Sequence, residues 1–136
     1  MLTIDTSRPD AEVAAAWIEC TARSNPEGAP SRESDTQHFD LDDDWGAQAL
    51  LEIVCEEPDR ALEITFLIAR MTDDSWLLCN LGAGPIESLL AHDGTLLDAV
   101  AIEAQNSPNL KVALGSAWQN AMSEATWQAV QRLASR

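Results

Sequence analysis

Along residues 10–23 the apolar side chains fall at Val13, Trp17 and Cys20, with Ala14 and Ile18 beside them. That three-to-four spacing puts them on one face of a helix. Ser7 can cap this helix, Pro9 is tolerated in its first turn, and Asp10 and Glu12 meet the positive end of its dipole, so a helix ending near Arg23 is expected. Further on, Leu62, Ile64, Phe66, Leu67, Ile68 and Met71 leave almost no polar face, which predicts a central helix after Pro58. The alternation Leu62, Ile64, Phe66, Ile68 also fits a strand, but the helix start at Pro58 and the lack of hairpin turn chemistry favour helix. Near the end, Ser123 can cap a helix whose stripe is Trp127, Val130 and Leu133 or Ala134.

Between these stretches the pattern gives an organisation. Residues 24–41 hold prolines, a glycine and serines with little to bury, and read as an exposed acidic loop or linker. The opening Asp42–Trp45 returns as Asp73–Trp76, each with acids ahead of a tryptophan at a helix start. From Asp43 onward the chain reads as three helix pairs of about 30 residues each, a weak repeat cadence. The expected fold is all-α, a single domain over residues 1–136 built of antiparallel helix pairs, HEAT-like or a compact helical bundle.

Composition adds a strong acidic bias. Acids number 23 against 8 bases, a net charge of −15, and 46% of residues are hydrophobic, enough for one core. Residues 1–60 carry 15 acids and 4 bases, whereas residues 61–136 carry 8 and 4, so the acidity belongs mainly to the first half. Such a surface repels nucleic acid and anionic membrane and attracts cationic partners. Cys20, Cys55 and Cys79 are odd in number and far apart inside apolar patterns, so buried reduced thiols are expected rather than disulfides or a zinc site. The start lacks the basic and apolar runs of a signal peptide and no apolar window approaches a membrane span, which points to the cytoplasm. Of the five tryptophans, Trp45 and Trp76, in first turns, are those expected to be partly exposed.

Candidate chemistry is sparse. "LGAGPIE", Leu81–Glu87, has the glycines of a phosphate loop, but Pro85 removes a backbone N–H and Glu87 puts a carboxylate where phosphate would sit. It reads better as a helix-to-helix junction, with Gly82 and Gly84 ending one helix and permitting close packing, Pro85 starting the next and Glu87 facing its dipole. Asp40, Asp42 and Asp44 have the alternate spacing of a calcium loop, but the glycine and glutamate such a loop requires are absent from register, so no metal is expected. His38 lies in the loop and His92 sits at a helix end before Asp93 and Gly94, with no nucleophile or paired imidazole nearby. Acid pairs such as Asp73 and Asp74 read as solvated surface, so no enzyme and no cofactor are expected.

The segments "WLLCNLGAGPIESLLAHDG" and "EAQNSPNLKVALGSAWQNAMSEATWQAV" resemble a bacterial family of small domains of unknown function, numbered six-eight-six-nine. The resemblance rests on Leu81, Gly84, Pro85, Glu87, His92, Gly94, Trp118 and Asn120 and covers roughly residues 43–130, with Gly82 standing where an alanine is expected. It implies a fold and no activity.

The functional expectation follows from charge. The chain reads as an immunity protein or antitoxin-like inhibitor that lays its acidic first half over a cationic bacterial toxin or effector domain. Its expected footprint is Asp40, Asp42, Asp43, Asp44, Glu56, Glu57 and Asp59, with Trp45 as anchor, and neither nucleic acid nor membrane is expected as a partner. The alternative is a helical-repeat adaptor that binds proteins without inhibiting them.

Overall fold

The computed structural model describes residues 6–23, 45–92, 94–119 and 122–134. The loop expected over 24–41, with His38 and Asp40, lies outside the described residues, as do Asp42, Asp43, Asp44, Asn120 and the side chain of His92. Helix α1 spans Asp10–Arg23, α2 Trp45–Glu56 and α3 Pro58–Met71. Then come α4 (Ser75–Leu81), a π-helical turn (Gly82–Ile86), α5 (Glu87–His92), a 3-10 turn (Gly94–Leu96), α6 (Leu97–Asn106), α7 (Pro108–Leu114) and α8 (Glu124–Ala134). No strand occurs among the described residues, and the chain is all-α.

The stops and starts have local causes. Glu57 alone separates α2 from α3, and Pro58 takes the first helical position, where its missing N–H is harmless. The Asp74 side chain caps α4 by accepting from the N–H groups of Trp76 and Leu77 at 2.8 and 3.1 Å. Ser107 caps α7 through the Leu110 N–H at 3.1 Å, and Ser123 caps α8 through the Thr126 N–H at 3.1 Å. The C-terminal end of α3 is closed from α7: Asn109 Nδ2 donates to the carbonyls of Ala69 and Thr72 at 2.9 Å each.

The core runs through every helix and through both short turns, at Ile86 and Leu96. Helix α3 is its centre, burying Ala61, Leu62, Ile64, Thr65, Phe66, Ile68 and Ala69, so the alternation that also fitted a strand is realised as a nearly all-apolar helix. Its one buried polar side chain, Thr65, is satisfied by donating to the Leu62 carbonyl at 2.7 Å. Two glycines let helices touch at the backbone. A Cβ on Gly46 would lie 2.3 Å from the carbonyl carbon of Ala16, and one on Gly82 would lie 1.6 Å from the carbonyl oxygen of Ala113. Thus α2 crosses α1 at Gly46, and the α4 run crosses α7 at Gly82.

Two expectations need correction. The second of the three helix pairs does not exist as a pair, because α4, the π turn and α5 form one uninterrupted helical run. Leu81, Gly82 and Glu87 all keep right-handed helical dihedrals, with φ of −62°, −69° and −58°. The widened turn accommodates Pro85, and Gly84, lacking a Cβ, relieves the crowding that proline imposes on the residue before it. A solenoid is also not what forms. Helix α1 packs on α2, α3 and α4, while α7 packs on α3, α4, the π turn, α6 and α8. In a stack of repeats each pair meets only its neighbours. Here elements far apart in sequence meet in one centre, the compact-bundle form of the expected fold.

Candidate functional site

Two surfaces carry chemistry beyond packing. The first is the corner where α2 meets α3. The backbone turns there at Glu57, and Arg60 in the first turn of α3 fastens the corner to the chain before α1. Arg60 Nε donates to Asp10 Oδ1 at 2.8 Å, Nη1 to the Thr6 carbonyl at 2.6 Å, and Nη2 to the Arg8 carbonyl at 2.8 Å. Its pKa is raised, chiefly by the hydrogen bond to Asp10; burial opposes the rise, and the charges of Asp10 and Glu57 add to it. A planar fork with five donors suits this set of acceptors as a lysine would not.

Other arginines among the described residues are committed in the same way. Arg8 pairs with Glu12 at 2.9 Å and Arg23 with Glu19 at 3.3 Å. Arg60 also reaches Glu57 at 3.4 Å, and Arg70 pairs with Glu103 of α6 at 2.7 Å. Glu52, Glu56, Asp59 and Glu63 are all exposed, and among the described residues none of them has an ion pair. These four arginines are thus taken up by pairs within the chain, and among the described residues no cation pairs with the carboxylates of Glu52, Glu56, Asp59 and Glu63.

Glu56, Glu57 and Asp59 of the expected footprint lie at this corner. Glu56 and Asp59 stand in the corner as free carboxylates, and Glu57 joins them while tied to Arg60. Asp40, Asp42, Asp43 and Asp44 lie outside the described residues. Trp45 is half-buried against the core, with the Arg8 guanidinium 4.8 Å over its ring. The partial exposure expected of Trp45 and Trp76 is what the structure shows, and the Trp45 indole carries a cation of the same chain over its ring. The burial of the thiols is corrected, since of the three only Cys20 is buried, Cys55 is exposed and Cys79 is half-buried; none is joined in a disulfide.

The second surface surrounds the π turn. Gly82 is the close-packing residue expected, whereas Gly84 has no atom within 4 Å of where a Cβ would sit. Glu87 does not serve a free helix end, since the helix is continuous there. Instead its Oε1 accepts the backbone N–H of Trp118 at 2.7 Å, fastening the chain after α7 to the π turn. Trp118 itself is 70% exposed, more than any other large apolar residue described. Beside it opens a cleft of about 520 Å³ lined by Cys79, Asn80, Ala83, Gly115, Ser116, Ala117, Trp118 and Trp127. Sequence reasoning missed Trp118 as the exposed indole; its signal was the Gly115–Ser116 pair just ahead, which ends α7 and leaves the next residues outside any helical stripe.

Glu87 therefore meets Trp118 in space although about 30 residues separate them in sequence. A family model described as Family of unknown function (DUF6869) matches residues 31–136. The chain belongs to this family. The DUF6869 match takes in α2 to α8, both surfaces included, while α1 lies outside the matched residues and packs onto them. No curated protein and no solved structure matches the chain. Among the described residues, no group of three or more His, Cys, Asp or Glu side chains is arranged to hold a metal ion, and no helix is long and apolar enough to cross a membrane.

Proposed function

We propose that this DUF6869 protein is an inhibitory binding protein, an immunity protein or antitoxin, that neutralises a cationic bacterial toxin. The observation that carries this reading is the α2–α3 corner: Glu52, Glu56, Asp59 and Glu63 face solvent with no cation paired to them among the described residues, in a chain of net charge −15. Charges left uncompensated on a fixed scaffold steer an oppositely charged partner and raise its association rate by roughly 10- to 1,000-fold at low salt. An inhibitor that must meet its toxin before damage is done depends on that rate. Exposed Leu51, on the same helix as Glu52 and Glu56, supplies apolar area beside the charges.

The partner in this reading is a basic protein, and the inhibitor works by occlusion, with no chemistry of its own. Its test is rescue: cells expressing the toxin partner survive when the native chain is co-expressed and die with Glu56→Lys/Asp59→Lys. A control with an equal change in charge on the other half, Asp98→Lys/Gln105→Lys/Gln131→Lys, still rescues, because those positions lie away from the corner. Full rescue by the corner variant removes the corner from the footprint. The adaptor reading has one observation in its favour, the exposed Trp118, which marks a contact surface outside the acidic corner.

A further inference from the structure

The five tryptophans differ in what covers them. Trp17 is buried, Trp76 and Trp127 are half-buried, and Trp45 carries the Arg8 guanidinium over its ring. Trp118 is 70% exposed and no cation covers it among the described residues. It forms one wall of the ≈ 520 Å³ cleft whose other indole is Trp127, and between them the lining is small: Ala83, Gly115 and Ala117. Acceptors stand around this space. Asn80, which lines it, donates one amide N–H to the Trp76 carbonyl at 2.8 Å and carries its Oδ1 as an acceptor. Glu124 lies one helical turn before Trp127, and its carboxylate accepts from two neutral donors, Gln119 Nε2 at 3.3 Å and Gln128 Nε2 at 3.2 Å, which leave its charge uncompensated. Gln119 adjoins Trp118 in the chain, so that bond ties the Glu124 carboxylate, which lies outside the cleft lining, to the residue next to Trp118. Among the described residues no basic side chain lines the cleft.

We infer that this cleft seats an arginine or lysine side chain of a protein partner, with its cation on the Trp118 face and its N–H groups directed at Asn80 Oδ1 and the Glu124 carboxylate. Indole faces attract cations, tryptophan most strongly, and acceptors beside the ring give the donors of a guanidinium somewhere to bond. The chain applies the same chemistry internally, where Arg8 lies 4.8 Å over Trp45. This inference rests on the reading that the partner is basic; it adds a second, aromatic contact on the half of the molecule away from the α2–α3 corner.

The test is an NMR titration of the full chain with a capped tetra-arginine peptide, following the five indole N–H signals at about 0.15 M salt, where distant surface charges are largely screened. The neutral, similarly shaped tetra-citrulline peptide is the control. The expected result is movement of the Trp118 signal by the arginine peptide alone, with affinity falling roughly three- to fivefold in Trp118→Ala, the scale of an exposed cation–π contact. Trp118 is exposed enough for that variant to fold, and Glu124→Gln weakens binding while leaving the fold intact. A Trp118 signal that stays still, or a Trp118→Ala variant that binds as well as the native chain, overturns the inference. If binding survives Trp118→Ala but is lost in Glu56→Lys/Asp59→Lys, the cleft is refuted while the acidic corner stands. If tetramethylammonium moves the Trp118 signal with the same affinity as the peptide, the cleft takes small cations, and a protein side chain as its occupant is refuted.

Discussion

Gly82 and Gly84 stand two residues apart in one π turn, yet the structure assigns them opposite sensitivities to the same substitution. In Gly82→Ala the new Cβ falls 1.6 Å from the carbonyl oxygen of Ala113 and 2.5 Å from its carbonyl carbon. An ordinary carbon–oxygen contact is about 3.3 Å, so the α4 run and α7 would have to part by roughly 1.7 Å. The obstructing atoms are backbone, which cannot rotate away, and close-packed interiors yield little. Overpacking of this kind costs about 3 kcal/mol or more, against a gain of about 1 kcal/mol in helix propensity, leaving a net loss of at least about 2 kcal/mol. For a chain of this length that is a fall in Tm of roughly 6–10 °C. In Gly84→Ala the Cβ meets nothing within 4 Å. There the propensity gain is set against crowding by Pro85, and the net change stays within about 1 kcal/mol. Urea and thermal unfolding followed by circular dichroism measure both. A Gly82→Ala variant within about 0.5 kcal/mol of the native chain, or a Gly84→Ala variant more damaged than it, would refute the packing described for this turn.

Other consequences can be checked on the same footing. Arg60→Lys keeps the charge but loses the fork that holds Asp10 and the Thr6 and Arg8 carbonyls, and is expected to cost about 1–3 kcal/mol in urea unfolding. Because the pKa of Arg60 is raised, its contribution is present in full below the unfolded-state value and is lost only as pH rises through the folded one, so stability from this clamp stays flat from neutral into moderately alkaline solution. Asn109→Ala uncaps the C-terminal end of α3 and should cost about 1–2 kcal/mol, with hydrogen exchange rising first around Thr72. Removal of residues 1–23 strips Val13, Ala14 and Trp17 from the core and should leave the DUF6869 portion partly unfolded, read as loss of a cooperative thermal transition.

Much of this fold was legible because its signals are local. Helix α1 ends at Arg23 as its stripe predicts, Ser123 caps α8, and Pro58 opens α3. The π turn was not legible, since glycine and proline punctuation reads as a break unless the surrounding helix packs tightly enough to carry the chain through; here Gly82 on Ala113 supplies that packing. The bundle's centre was equally hidden, because α1 meeting α4 and α7 meeting α3 are long-range contacts that no periodicity reports. At the acidic surface, charge counting located Glu56, Glu57 and Asp59 but could not tell which arginines were already committed. That depends on Arg60 reaching back about 50 residues to Asp10. Trp45 and Trp118 show the same division: both were visible as tryptophans, and only tertiary packing gave one of them a cation and left the other bare.

The central claim is that an uncompensated acidic corner binds a basic protein, and capture from the native cell tests it most directly. Immobilised native chain, the Glu56→Lys/Asp59→Lys variant and the charge-matched control at Asp98, Gln105 and Gln131 are compared at about 0.05 M and about 0.5 M salt, where screening differs several-fold in range. One basic protein is expected to be retained at low salt by the native chain and the control, released at high salt, and not held by the corner variant. Equal retention by all three chains, or a retained partner that is itself acidic, would contradict it.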